Sequence, residues 1–204
     1  IKKVREFRLK SKREATYKLS EFPTLFGENR QPKSKYVFIP KVSSESRKYI
    51  PIGFLSEKYI ANGSSLVVPN ATLYEFGILT SIIHMTWMKY VAGRMKSDYQ
   101  YSNSIVYNNY PWPKNPSEKN KKKVEDKAQK VLDVRAEFPD SSLADLYDPL
   151  TMPPKLVKAH NELDKAVDLC YRPQPFASES ARIEYLFELY NEYTAPLMKV
   201  VKRR

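Results

Sequence analysis

The sequence predicts an α+β fold, a β-rich mixed first part followed by a small α-helical bundle, and three observations predict it. Short apolar runs rich in β-branched and aromatic residues lie within the first 70 positions. From about residue 71 the apolar spacing changes to threes and fours, the period of a helix face. The charge is also unevenly spread. Residues 1–60 carry 15 Lys and Arg against 6 Asp and Glu, residues 61–115 carry 4 against 2, and residues 116–204 carry 16 against 15. A basic region joined to a nearly neutral one reads as an anion-binding module on a scaffold. With 204 residues there is enough chain for one or two domains with cores of their own.

The elements follow in order. Lys2, Lys3, Arg5, Arg8, Lys10, Lys12 and Arg13 alternate with Val4, Phe7 and Leu9, so part of this basic run is expected as strand, directed at phosphate or solvated. Phe22 to Pro32 reads as loop, with Gly27 and Asn29 as turn residues. Tyr36–Pro40, Tyr49–Leu55 and Ser65–Pro69 read as strands, with Pro51 demoting the second to an edge or a bulge. Lys41–Lys48 is a polar, basic connection of hairpin-like length between the first two. Leu73, Phe76, Leu79, Ile83, Trp87 and Val91 then predict one buried helix over 71–97, capped by Thr72 or Asn70, with Gly93, Arg94 and Lys96 near its C-terminus. Residues 105–113 place three aromatics, two prolines and two asparagines together, a rigid joining segment. The polar stretch 114–123 sets the module boundary, giving domains at 1–114 and 115–204. Beyond it, Ser117 caps a helix to about Phe138, and Ser141 starts a short turn through Leu146. Pro153 or Pro154 opens a helix to about 171, and Ser178 caps the last one. Such helices make a small antiparallel bundle.

Several chemistries are excluded. Five glycines are scattered singly, so no phosphate- or cofactor-cradling loop is visible. The single Cys170 excludes an internal disulfide framework and a multi-cysteine zinc site; on its helix face it is a small core residue. His84 has no second ligand at metal spacing and reads as a hydrogen-bonded structural residue. Glu125 and Lys127 match half of a nuclease metal site, but Pro139-Asp140 lies downstream rather than upstream, so they read as a solvated helix face. Asn109-Tyr110-Pro111-Trp112 lacks the order of an Asn-Pro-Pro-aromatic methyltransferase loop. No apolar run of 18 residues exists to span a membrane and no secretory pattern opens the chain. A cytoplasmic location is expected, and a chain beginning at Ile1 is expected to be part of something longer.

The positive signal is for nucleic acid. Arg30, Lys33 and Lys35 precede the first strand, while Lys41, Arg47 and Lys48 follow it, and the two sides of a hairpin can reach one face. Arg reads guanine in a bidentate fashion, and Lys or Ser anchors phosphate, which brings in Ser43 and Ser44. Glu45 can accept from cytosine N4; equally, it can simply pair with Arg47 or Lys48.

Three segments together carry a resemblance: 42–54 (VSSESRKYIPIGF), 69–81 (PNATLYEFGILTS), and His84-Met85-Thr86-Trp87-Met88 through Tyr107-Asn108-Asn109-Tyr110-Pro111-Trp112-Pro113. They resemble the C-terminal part of the type IIL single-chain restriction-modification DNA methyltransferases and their orphan methyltransferase relatives. Residues 143–153 and 163–168 resemble that family's tail. The resemblance implies a target recognition domain and a helical C-terminal domain that read double-stranded DNA. They would stand beside the parent's own adenine-N6 methyltransferase domain, with S-adenosylmethionine held by the parent and no cofactor by this fragment. The alternative role is a protein-interaction scaffold docking onto that methyltransferase domain.

Overall fold

A computed structural model describes residues 1–27 and 30–201, which form two compact units, 1–31 and 32–204. The turn expected at Asn29 lies outside the described residues.

The first unit is helical where part of it was expected as strand. Helix α1 (Lys2–Leu9) is followed by α2 (Glu14–Lys18). The stretch is made of Lys, Arg, Glu, Phe and Leu with one Val, and only a run of β-branched residues would have favoured strand. The Arg8 guanidinium donates to the carbonyls of Leu19, Phe22 and Leu25 at 3.0, 2.8 and 2.7 Å, and Arg5 donates to that of Ser20. Two of the basic side chains therefore hold the backbone that follows them.

In the second unit, β1 (Tyr36–Pro40) lies at the centre of an antiparallel sheet between β3 (Gly53–Leu55) and β4 (Ser65–Pro69). Only Gly53–Leu55 of the second expected run pairs, on an edge, and Pro51 precedes it. The basic connection is not a simple hairpin loop. Its β2 (Val42–Ser43) leaves for another sheet, ordered β2-β6-β5, with β5 (Gly93–Met95) and β6 (Asp98–Gln100).

The helix expected over 71–97 is two helices and a hairpin. Helix α3 (Leu73–Leu79) begins with a capping box in which Thr72 and Glu75 satisfy each other's end groups. The chain turns at Thr80-Ser81, where the Ser81 hydroxyl donates to the Ile78 carbonyl at 2.6 Å. Helix α4 (Ile82–Val91) restarts because Asp164, far along the chain, accepts the Ile82 N–H at 2.8 Å. Gly93, Arg94 and Lys96 thus belong to strand β5 and its turn, not to a helix terminus.

After a π-helical turn (Asn103–Tyr107), α5 (Glu118–Ala136) starts on its Ser117 cap. Short α6 (Leu143–Leu146) is capped by Ser142, one residue beyond the expected Ser141, in a box with Asp145. Helix α7 (Pro154–Tyr171) opens on its proline, and α8 (Glu179–Val201) follows Ser178. The C-terminal helices pack on one another and on the helices before them. Helix α5 packs on α7 and α3, and α8 packs on α4. Gly77 marks the closest approach: a Cβ there would meet Val124 Cγ1 at 2.6 Å. One core runs from Val37 and Ile39 through Phe76, Ile83 and Trp87 to Val131, Leu163 and Leu186. The aromatic segment lines this seam, with the Trp87 indole donating to the Val106 carbonyl and the Tyr171 hydroxyl to that of Tyr110. Cys170 and His84 are both buried, and His84 Nε2 lies 3.0 Å from the Tyr101 hydroxyl.

Candidate nucleic-acid interface

The structure divides the expected basic residues sharply. Lys33 and Lys35 are exposed but precede β1, whereas Lys41 follows it. Six residues of extended chain separate Lys35 from Lys41 by about 20 Å, so the two groups sit at opposite ends of the strand instead of sharing a face. Arg30 is described with the first unit.

Three members of the connection are occupied structurally. The Lys41 ammonium donates to the Gly63 carbonyl at 2.7 Å, and its backbone bonds Ser64 and Tyr101. Ser43 is buried in β2, opposite Tyr99. The Lys48 ammonium lies 3.3 Å from Asn161 Oδ1 and 5.3 Å from the centre of the Tyr49 ring.

Between Ser43 and Lys48 lies the turn Ser44–Arg47, with Glu45 and Ser46 exposed. The Arg47 N–H donates to the Ser44 carbonyl at 3.2 Å, and the Ser44 and Ser46 hydroxyls lie 3.0 Å apart. Glu45 is exposed at the turn. It pairs with neither Arg47 nor Lys48; its carboxylate lies 3.9 Å from Arg94, and its N–H donates to Asp98 at 3.3 Å. Arg47 is half-buried, and its Nε is buried with no hydrogen-bond partner. Two residues apart in the turn, the exposed Glu45 and the partly exposed Arg47 bring an acceptor and a donor type that can match the edge of a base pair.

The turn is held at both ends. Before it, β2 pairs with β6. After it, Tyr49 is buried, stacked on His160 with ring centres 4.1 Å apart, and donates to Asp164 Oδ2 at 2.7 Å. The same Asp164, on α7, caps α4, so one carboxyl ties the chain just after the turn to two helices. Burial raises its pKa to about 6. Beneath it, the Tyr147 hydroxyl lies 2.6 Å from His160 Nε2 and accepts from Arg135, which also donates to the Ile52 carbonyl at 2.8 Å. Burial, with Arg135 and Lys48 nearby, holds His160 neutral, well below the usual histidine range.

Sequence reasoning missed the β5–β6 hairpin. Arg94 lies over the Tyr99 ring at 3.9 Å, beside Glu45, and Lys96 sits at the tip. Gly93 was the one available signal.

Among the described residues no group of acidic, Cys and His side chains could hold a metal, and no helix is long and apolar enough to cross a membrane.

Residues 1–114 match the family model of the MmeI target recognition domain, and residues 116–198 match that of the MmeI C-terminal domain. The chain is 41% identical over 187 residues to DNA methyltransferase A of Bacillus subtilis (strain 168), covering 92% of this chain and 21% of that protein. It is also similar to the solved structure of the type IIL restriction-modification enzyme MmeI in complex with DNA, with a TM-score of 0.84 and 45% identity, over 95% of this chain and 26% of that one. The chain therefore spans about a quarter or less of the length of these relatives.

Proposed function

The chain belongs to the MmeI family, and from that premise we propose that it reads bases in double-stranded DNA and so chooses the site at which a larger adenine-specific DNA methyltransferase acts. The observation that carries this is the Ser44–Arg47 turn, which leaves Glu45 exposed and Arg47 half-exposed while both of its flanks are locked. A loop that must discriminate bases needs this rigidity, because each bidentate contact to a base edge is worth only about 1–3 kcal/mol and a mobile loop would lose much of it. Residues 1–114 supply recognition and residues 115–204 the support on which it is mounted. The DNA-bound state of the similar MmeI structure supports the reading.

Ser44, Glu45 and Arg47 are assigned to bases or the adjoining phosphate. Lys33 and Lys35 are exposed and suit only a sequence-independent phosphate contact away from the turn. S-adenosylmethionine belongs to the parent's methyltransferase domain. No residue of this chain is assigned to it.

Selection from a randomised duplex pool tests the proposal. The unmodified chain should enrich one short sequence, and Arg47→Ala should erase the preference at one base pair while the fold melts as before. Equal enrichment of all sequences by the unmodified chain would overturn it.

A further inference from the structure

Beside the Ser44–Arg47 turn stands the β5–β6 hairpin. Every residue of β5 is exposed, and Met95 keeps 50% of its surface in solvent. The strands are joined by the two-residue turn Lys96-Ser97, in which Lys96 takes a φ of 58°. An L residue in this left-handed region is strained, and Gly or Asn is the usual occupant. Here the position is given to a lysine, and its ammonium makes no hydrogen bond or ion pair among the described residues. The charged residues beside it, Arg94 and Asp98, are engaged. Arg94 lies on Tyr99, donates to the Ser97 carbonyl at 2.9 Å and approaches Glu45, while Asp98 accepts the Glu45 N–H. The hairpin and the turn are therefore one piece, with the cation of Lys96 projecting from its tip.

We propose that the β5–β6 hairpin is a second DNA-contacting element, whose Lys96 meets a backbone phosphate while Glu45 and Arg47 face base edges. This rests on the reading of the turn given under Proposed function. In the sheet β2-β6-β5 the turn leaves one outer strand and the hairpin tip ends the other. Outer strands of a three-stranded sheet lie about 10 Å apart, comparable with the roughly 12 Å width of the major groove. A piece of that breadth can place one edge at the bases and the other at the phosphates of the groove wall. A compact ammonium on a long stem suits phosphate, which it contacts without regard to sequence.

The test is a fluorescence anisotropy titration of the full chain against a random-sequence duplex at several salt concentrations from about 50 to 200 mM. Lys96→Ala should weaken binding to every sequence and lower the slope of log affinity against log salt by about one, the loss of one phosphate contact. Lys96→Gly should lower the slope equally while melting at a higher temperature, because glycine relieves the positive φ; that separates loss of contact from loss of fold. If the unmodified chain binds with salt dependence and both variants keep its affinity and slope, the hairpin contact is overturned and the reading turn stands. If the unmodified chain shows no salt-dependent binding, both are overturned.

Discussion

Glu45 and Arg94 show how weak the contacts are that DNA would have to replace. Their separation is 3.9 Å and both side chains are about half exposed, so the pair contributes on the order of 0–1 kcal/mol. Arg94→Ala also removes the stacking on Tyr99 and the bond to the Ser97 carbonyl, so it should cost about 1–2 kcal/mol, read as the urea midpoint, while loosening any base discrimination that depends on Glu45; unchanged discrimination would remove Arg94 from the positioning of Glu45. The buried histidines make a different prediction. Burial lowers the His84 pKa to about 3, and His160 is also held well down. Their folded values lie below the unfolded value of about 6.5, so the stability they contribute is complete above about pH 6.5 and is lost as pH falls toward 3. Asp164 acts in the opposite direction. Its folded pKa of about 6 exceeds the ordinary 3.8, so its contribution is complete below about pH 4 and is lost as pH rises through 6. Two histidines outweigh one carboxyl, each group changing stability by about 1.4 kcal/mol per pH unit within its window. The melting temperature should therefore fall steadily from pH 7 to pH 4.5; a flat profile would mean that the rings are hydrated in the fold.

The elements are tied by a few cross-chain contacts whose loss has calculable effects. A Cβ on Gly77 would press on Val124 Cγ1, a β-branched and fully buried neighbour, and lie 3.2 Å from Ala128 Cβ. Gly77→Ala should therefore destabilise by about 1–3 kcal/mol, the usual cost of overpacking, despite the roughly 1 kcal/mol by which alanine favours a helix. A raised urea midpoint would show that α3 and α5 are looser than the structure has them. Asp164→Ala would strand both the Ile82 N–H and the Tyr49 hydroxyl, each at about 1–3 kcal/mol, with Tyr49→Phe costing less; equal losses for the two variants would contradict the dual role of Asp164. These contacts also explain what could be read in the sequence. Helices α5, α7 and α8 were legible because Ser117, Pro154 and Ser178 mark their starts and their apolar spacing is regular. The break between α3 and α4 was not, since its cap comes from Asp164, 82 residues away. Nor was the β5–β6 hairpin: three-residue strands joined by Lys-Ser offer neither alternation nor the Asn-Gly signature of a tight turn. Among the site residues, the turn with Glu45 and Arg47 was visible as a polar basic connection. That Lys41 and Lys48 are tied to Gly63 and Asn161 was not, because those bonds depend on tertiary placement.

At the scale of the molecule, the charge asymmetry and the architecture point the same way. A net +12 concentrated in the first third gives a long-range attraction for a polyanion, whereas residues 116–204, with 16 basic against 15 acidic side chains, are nearly neutral. The measurement that tests this most directly is duplex binding at about 50 and 200 mM salt. Neutralising about four phosphates predicts affinity weaker by roughly a hundredfold at the higher concentration. Binding indifferent to salt, or none at 50 mM, would contradict a DNA-reading role and leave the basic residues as solvated surface groups on a protein-docking scaffold.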